Sequence, residues 1–207
     1  MIKKHLIFDL DWTLIESMSD TIKIALNYLK KIANTDIQKA EYILNTSWGM
    51  SLREQLVIIY DWVDNINIDE IKNWIYNILF KNEAAFFVWI PEKIIELSKN
   101  YKLFLTTWNS TPTAIKYLTN WWIIDCFELI YWSDKILKWM EHLNIFKEYS
   151  NDSMFFEKSV YIWDWTPDRM FAKQAWIDFI HIWNDKIDKY EIESVIEIDS
   201  ILEKLNK

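Results

Sequence analysis

The chain has 207 residues, of which 51% are hydrophobic and 26% are charged, and its formal net charge is −8. This size and composition favour one compact domain with a modest insertion, and they exclude a disordered or fibrous protein. The negative charge argues against general nucleic-acid binding, which depends on Lys and Arg to neutralise phosphates. Because no apolar run reaches the roughly 18 residues of a membrane span, we expect a cytoplasmic protein without a membrane partner.

The order of elements predicts an α/β protein with an inserted helical region. The first apolar run, His5–Leu10, ends at acids and is typical of a buried parallel strand. From about residue 17 to 87, apolar residues recur at helical spacing without strand signals, which predicts an α-helical cap. Helices and strands then alternate, which favours a doubly wound parallel sheet in a Rossmann-like core of residues 1–16 and 88–207. The predicted strands are 102–106, 127–131, 159–163 and 178–182, and the predicted helices are 91–99, 112–120, 139–148, 167–175 and one from about 200.

Two acids, Asp9 and Asp11, end the first predicted strand. Ligands bind at the carboxyl ends of the strands in open parallel sheets, because the loops diverge there. Two carboxylates so close together repel each other unless a cation lies between them or one of them is protonated. Either arrangement serves catalysis, but a pair of solvated turn acids explains this short pattern equally well.

Polar residues also follow the later predicted strands. Thr107 ends KLFLTT, where its hydroxyl and the following N–H groups can hold a phosphate oxygen. Asp164 ends VYIWD, and Asp168 follows four residues later; such oxygen ligands suit Mg²⁺, although Asp168 also suits the first turn of a helix. Lys138 stands at the start of a predicted helix, where an exposed surface charge is the simpler interpretation.

In order and spacing, these four motifs resemble those of the haloacid dehalogenase superfamily of hydrolases, in the group with a small helical cap. Within that superfamily, TWNSTP and the cap length are most similar to phosphoglycolate phosphatases. The resemblance implies that Asp9 is the nucleophile and Asp11 the general acid/base. It also implies that both residues contact the metal ion, Asp11 through its backbone carbonyl.

The resemblance further implies a phosphate site and completes a metal site. Thr107 and Lys138 correspond to the phosphate-binding residues, and Lys135 is the alternative lysine. Asp164 and Asp168 correspond to the remaining ligands of a Mg²⁺ cofactor. The three histidines of the chain show no metal-ligand spacing, so we expect them to be structural.

The activity implied is that of a Mg²⁺-dependent phosphatase, which hydrolyses a small phosphorylated metabolite through an aspartyl-phosphate. A phosphoglucomutase-type phosphoryl transfer uses the same nucleophile and acid/base and remains an alternative. A catalytically silent binding protein is the interpretation from another class, favoured only if the tryptophans beside Asp164 are true tryptophans. The sequence predicts neither the substrate nor the oligomeric state.

The chain contains one glycine and 14 tryptophans. At the usual glycine share of about 7%, a chain of this length has roughly 14 glycines, many of them in turns with positive φ. Some bacterial lineages translate UGA as Gly where other codes give Trp, so we hypothesise that many of these tryptophans stand in place of glycines. The candidate positions lie at turns or beside the acids of the motifs: Trp12, Trp89, Trp108, Trp132, Trp163, Trp165, Trp176 and Trp183.

Overall fold

A computed structural model describes most of the chain. The described residues are 2–47, 50–81, 85–132, 140–164, 168–182 and 189–207. They form two compact units: the first consists of Met1–Glu16 and Ala85–Lys207, and the second, which we call the helical unit, is Ser17–Ala84. In the described ranges, no helix combines the length and the hydrophobicity that crossing a membrane requires.

A parallel sheet forms the centre of the first unit, as the apolar runs predicted. The described strands pair in the order β3-β2-β1-β4-β5-β6, with β1 and its neighbours β2 and β4 in the middle. A two-residue strand at the edge, β6, was not predicted, because two residues carry no detectable pattern. The strands are β1 (His5–Phe8), β2 (Lys102–Thr107), β3 (Phe127–Trp132), β4 (Ser159–Trp163), β5 (Asp178–Ile182) and β6 (Glu191–Ile192).

Helices connect the strands of the first unit and supply the rest of its core. On one face of the sheet, Ile7, Phe104 and Tyr161 pack with Phe146 and Ala172 from two of these helices. This arrangement is the α/β architecture that the alternating pattern predicted. Helices α1 to α4 belong to the helical unit. The helices of the first unit are α5 (Ile90–Ser98), α6 (Thr111–Asn120), α7 (Met140–Ser150), α8 (Asp168–Gln174) and α9 (Ile198–Leu205).

The helical unit has its own hydrophobic core, formed by fully buried residues such as Leu29, Leu56 and Ile75. Trp74 lies in the last of its helices and stacks on Tyr28, with ring centroids 3.8 Å apart. The described residues of this unit form the helices α1 (Met18–Leu29), α2 (Ile37–Thr46), α3 (Leu52–Ile59) and α4 (Ile68–Lys81).

The two chain segments that flank the helical unit are hydrogen-bonded to each other inside the first unit. Glu16 N donates to the carbonyl of Ala85 at 2.9 Å, and Phe87 N donates to the carbonyl of Leu14 at 3.1 Å. An antiparallel bridge between Ile15 and Phe86 completes the pairing. The chain therefore leaves the first unit and returns to it at neighbouring points.

Within the described ranges, four tryptophans adopt the left-handed backbone conformation that normally requires glycine. They are Trp12 (φ 59°), Trp89 (φ 65°), Trp122 (φ 61°) and Trp176 (φ 58°). The other positive φ values among the described non-glycine residues belong to asparagines, which tolerate this region. At Trp12, Trp89 and Trp176, this backbone conformation supports the glycine hypothesis, and it adds Trp122 to the candidates.

Trp176 shows why glycine suits these positions. Trp176 N donates to the carbonyl of Lys173 at 3.2 Å, and Ile177 N donates to the carbonyl of Ala172 at 2.9 Å. These two bonds form a Schellman motif, in which the residue just beyond the helix is left-handed and is usually glycine. Trp122 ends α6 with the same pair of bonds.

The backbone does not require glycine at three other candidates. Trp108, Trp132 and Trp163 are absent from the left-handed residues of the described chain, and Trp132 and Trp163 lie in regular strands. The Trp163 side chain is only 1% exposed and packs against Tyr161 in the core. Trp165 and Trp183 lie outside the described residues.

Candidate active site

The carboxyl end of β1 carries both acids of the first motif. Asp9 follows the strand directly and is 5% exposed, and its backbone N–H donates to the carbonyl of Ile162 in β4 at 3.2 Å. A tight turn begins at Asp11. Within it, Trp12 N donates a hydrogen bond to the carbonyl of Ile15 at 2.8 Å. The left-handed backbone at Trp12 allows this turn, which brings Thr13 back beside the strand end.

Hydrogen-bond donors from the end of β2 surround the carboxylate of Asp11. The Thr107 hydroxyl donates to Oδ2 at 3.3 Å, and the Asn109 side-chain amide lies 3.2 Å from Oδ1 and 3.3 Å from Oδ2. Asn109 N in turn donates to the Thr107 hydroxyl oxygen at 2.9 Å. This network fixes the orientation of the Asp11 carboxylate and joins it to the predicted phosphate-binding threonine.

Asp164 lies at the end of β4, on the other side of β1. Its Oδ1 accepts a hydrogen bond from the hydroxyl of Thr13 at 3.4 Å, and Thr13 is 2% exposed. Because β2, β1 and β4 are adjacent and parallel, their carboxyl ends meet at one edge of the sheet. The structure thus brings Asp9, Asp11, Thr107 and Asp164 to this edge.

The remaining predicted site residues have no described side chain. Lys138 and the alternative Lys135 lie in 133–139, outside the described residues. Asp168 is the first residue of α8, but its side chain is not among those described. The positions of the phosphate-binding lysine and of the last metal ligand therefore stay predictions, as do the roles of the other site residues.

A profile of the haloacid dehalogenase-like hydrolases matches residues 6–182. The chain belongs to this family. No curated protein sequence matches the chain significantly.

Solved structures with the same fold include several haloacid dehalogenase-like hydrolases. A member from Streptococcus pneumoniae is 22% identical with a TM-score of 0.75, covering 96% of this chain and 98% of its own. A protein assigned as a phosphoglycolate phosphatase from Lactobacillus plantarum is 14% identical with a TM-score of 0.78, covering 97% and 100%. YfnB from Bacillus subtilis, assigned to the same family and solved with magnesium, is 18% identical with a TM-score of 0.73, covering 98% and 100%. At these identities the likeness establishes the fold.

The donors at this sheet edge fit the magnesium ion that the family implies. Asp9 and Asp164 offer only oxygen, and Mg²⁺ is commonly held by one or two carboxylates with substrate phosphate and water. Among the described side chains, no group of three or more His, Cys, Asp or Glu is arranged to hold a metal. The fit thus rests on two carboxylates.

Sequence patterns missed the role of Asn109 in this haloacid dehalogenase-like hydrolase. It contacts Asp11 across 98 residues of sequence, a separation at which no local pattern indicates pairing. The available signal was an amide two residues after a threonine at a strand end, which places a donor close to the carboxylates of the neighbouring strand. Thr13 was missed for the same reason, since its partner Asp164 is 151 residues away.

Proposed function

We propose that the protein is a Mg²⁺-dependent phosphatase that hydrolyses a small phosphorylated metabolite through a phosphorylated Asp9. The observation that carries the proposal is the bonding of Asp11 to Thr107 and Asn109 beside the buried Asp9. In this arrangement an acid/base is hydrogen-bonded to a phosphate-binding hydroxyl from β2 and lies two residues from a candidate nucleophile at the end of β1. The relatives named as phosphatases support the same activity.

In the first step, an oxygen of Asp9 attacks phosphorus and the bond to the leaving alkoxide breaks. Asp11 gives its proton to that alkoxide, so the leaving group departs as a neutral alcohol. Thr107 turns its hydroxyl from Asp11 to a phosphate oxygen, while Asn109 keeps hold of the Asp11 carboxylate. Lys138 neutralises further phosphate charge.

In the second step, water attacks the phosphorus of phospho-Asp9, and Asp11 takes the proton from that water. The bond between phosphorus and Asp9 breaks, which releases inorganic phosphate and restores both carboxylates to their starting states. Asp9, Asp164 and Asp168, with the backbone carbonyl of Asp11, would hold the metal. Bound Mg²⁺ supplies positive charge that lets an anionic nucleophile approach an anionic phosphate.

We assign the helical unit the role of a cap that excludes water and selects the leaving group. Its separate hydrophobic core supports this assignment, because a unit that folds around its own core can vary without disturbing the sheet. A small phosphorylated metabolite is the proposed substrate class. A relative from Rhodobacter sphaeroides was solved in complex with phosphate, the product common to all such substrates.

The test is a panel of phosphomonoesters assayed with Mg²⁺ on the parent chain and on three variants. Asp9→Asn should lose about 10³-fold or more in kcat, as expected for loss of a nucleophile. Asp11→Asn should lose about 10²- to 10⁴-fold, the usual contribution of a general acid/base. Asp125→Asn removes an exposed carboxylate elsewhere and should leave the rate unchanged.

Mass spectrometry after an acid quench should find phosphate on the peptide that contains Asp9. An active parent whose rate survives Asp9→Asn would overturn the nucleophile assignment. A parent that converts sugar phosphates into isomers without releasing phosphate would instead establish the mutase.

A further inference from the structure

His181 is a buried histidine that lies against the proposed metal site. It belongs to β5 and is 2% exposed. Its Nε2 lies 2.9 Å from the backbone carbonyl oxygen of Asp164. Because a carbonyl oxygen only accepts hydrogen bonds, this contact requires a proton on Nε2, which donates it.

This bond lies at the end of the pairing between β4 and β5. The register between β4 and β5 ends with the pair Trp163 and His181, so Asp164 lies just beyond the ladder. A backbone carbonyl just beyond the end of a strand is commonly satisfied by a side-chain donor. The imidazole of His181 is such a donor and restrains the backbone of Asp164.

Asp164 consequently makes hydrogen bonds to two residues from different parts of the first unit. The hydroxyl of Thr13, in the turn after β1, contacts its carboxylate, and His181 contacts its backbone. With both contacts present, the carboxylate has little freedom to rotate away from the end of β1. Metal affinity depends strongly on such outer contacts, because they orient the ligating oxygens before the ion arrives.

We propose that His181 is a positioning residue, which raises the affinity of the protein for a divalent cation by fixing Asp164. The inference rests on the proposed function, in which Asp164 is a metal ligand. His181 touches neither the substrate nor the cation in this proposal. Its effect should therefore appear in metal binding before it appears in the chemical step.

The experiment compares His181→Leu with His181→Gln in the full chain, with metal binding measured by calorimetry for Mg²⁺ and by paramagnetic resonance for Mn²⁺. His181→Leu should raise the metal dissociation constant by about 10- to 100-fold, the usual effect of losing an outer contact. Most of the kcat should return at saturating Mg²⁺. His181→Gln should bind more tightly than His181→Leu, because its amide nitrogen can donate from nearly the position of Nε2.

His5→Leu is the matched control, since His5 is also 2% exposed and lies at the amino end of β1. It should lower thermal stability without changing the metal dissociation constant. Should His181→Leu fail to fold, His181→Gln against His181→Asn makes the same comparison, because the shorter Asn amide does not reach the carbonyl. Unchanged affinity in folded His181→Leu or His181→Asn, or equal weakening in His5→Leu, would overturn the inference.

Asp164→Asn separates this inference from the proposed function. A parent chain that binds no Mg²⁺, or an Asp164→Asn variant that binds it as well as the parent, would overturn the metal assignment itself. If Asp164→Asn weakens binding while the His181 variants do not, only the positioning role fails.

Discussion

At the scale of single residues, the left-handed tryptophans are the most unusual feature of the chain. A non-glycine residue in this conformation costs roughly 1–2 kcal/mol, because its Cβ crowds the following carbonyl. At Trp122 and Trp176 the indole is 86% exposed, so burial offsets little of that cost. Both residues occupy the position just beyond a helix where glycine is the usual choice.

Trp176→Gly should therefore stabilise the protein. Relief of the strained backbone outweighs the greater freedom of glycine in the unfolded chain, with a net gain of about 1 kcal/mol. For a protein of this size, that gain corresponds to a rise in Tm of about 2–4 °C, measurable by calorimetry. An unchanged or lower Tm would contradict the glycine hypothesis at this position.

Trp74→Gly is the matched control, because the same substitution should have the opposite effect there. Trp74 lies inside α4 with its ring stacked on Tyr28. Glycine within a helix costs roughly 1 kcal/mol relative to alanine, and the stacking is lost as well. A fall in Tm for Trp74→Gly beside a rise for Trp176→Gly would distinguish true tryptophans from replaced glycines.

At the scale of elements, a buried hydrogen bond joins α7 to β2. The Thr106 hydroxyl and Nδ1 of His142 are 2.7 Å apart, and both residues are at most 1% exposed. Thr106 precedes the proposed phosphate-binding Thr107, and α7 follows the segment that contains Lys138. The bond thus connects the end of β2, beside the proposed phosphate site, to the helix that follows the predicted lysine.

Thr106→Val keeps the shape of the side chain and removes this bond. We expect a loss of about 1–3 kcal/mol in unfolding free energy, since a buried polar atom then loses its partner. Inhibition by inorganic phosphate should also weaken if the bond positions Thr107. Thr119→Val, on an exposed face of α6, should change stability by no more than about 0.5 kcal/mol in the same urea titrations.

The sequence predicted these elements well where they have their own periodicity. The five longer strands match their apolar runs within two residues, although β1 ends at Phe8, before the predicted Leu10. The helical spacing of residues 17–87 did not predict the turn after α3 that contains Trp62, because periodicity does not define where a helix stops.

Of the candidate site, the sequence predicted only the residues at the carboxyl ends of the strands. Polar residues directly after apolar runs are visible in sequence, which is how Asp9, Thr107 and Asp164 were found. The partners that orient them come from distant positions. Neither Asn109 nor His181 stands out until the sheet order brings it to its neighbour.

At the scale of the whole molecule, a charged network lies at the amino ends of the strands, away from the proposed site. Both carboxylate oxygens of Asp152 lie 2.8 Å from Lys158 Nζ, and Oδ2 lies 3.3 Å from Nε2 of His5. The hydrogen bond from Lys158 and one from Met154 N hold the pKa of Asp152 well below its ordinary value. Burial lowers the pKa of His5 below 6.5.

Both shifts make the protein less stable in acid. A group whose pKa is lower in the folded state binds more protons when unfolded, so stability falls as the pH drops. His5 should contribute this loss below about pH 6.5 and Asp152 below about pH 4. Urea titrations between pH 7.5 and pH 3 should show both phases.

Two variants assign those phases to their residues. His5→Leu should flatten the first phase, and Asp152→Asn should flatten the second while lowering stability at neutral pH. Asp125→Asn, at an exposed carboxylate, should leave the profile unchanged. A first phase that persists in His5→Leu would assign the loss to another group.

The paired segments at Leu14–Glu16 and Ala85–Phe87 make the helical unit exchangeable. Because Glu16 and Ala85 are hydrogen-bonded neighbours, a short turn could join them directly, and closing so short a loop costs little entropy. The sheet would keep every strand connection it has now. An engineer could therefore replace the helical unit with a different insertion at these two points and keep the same sheet.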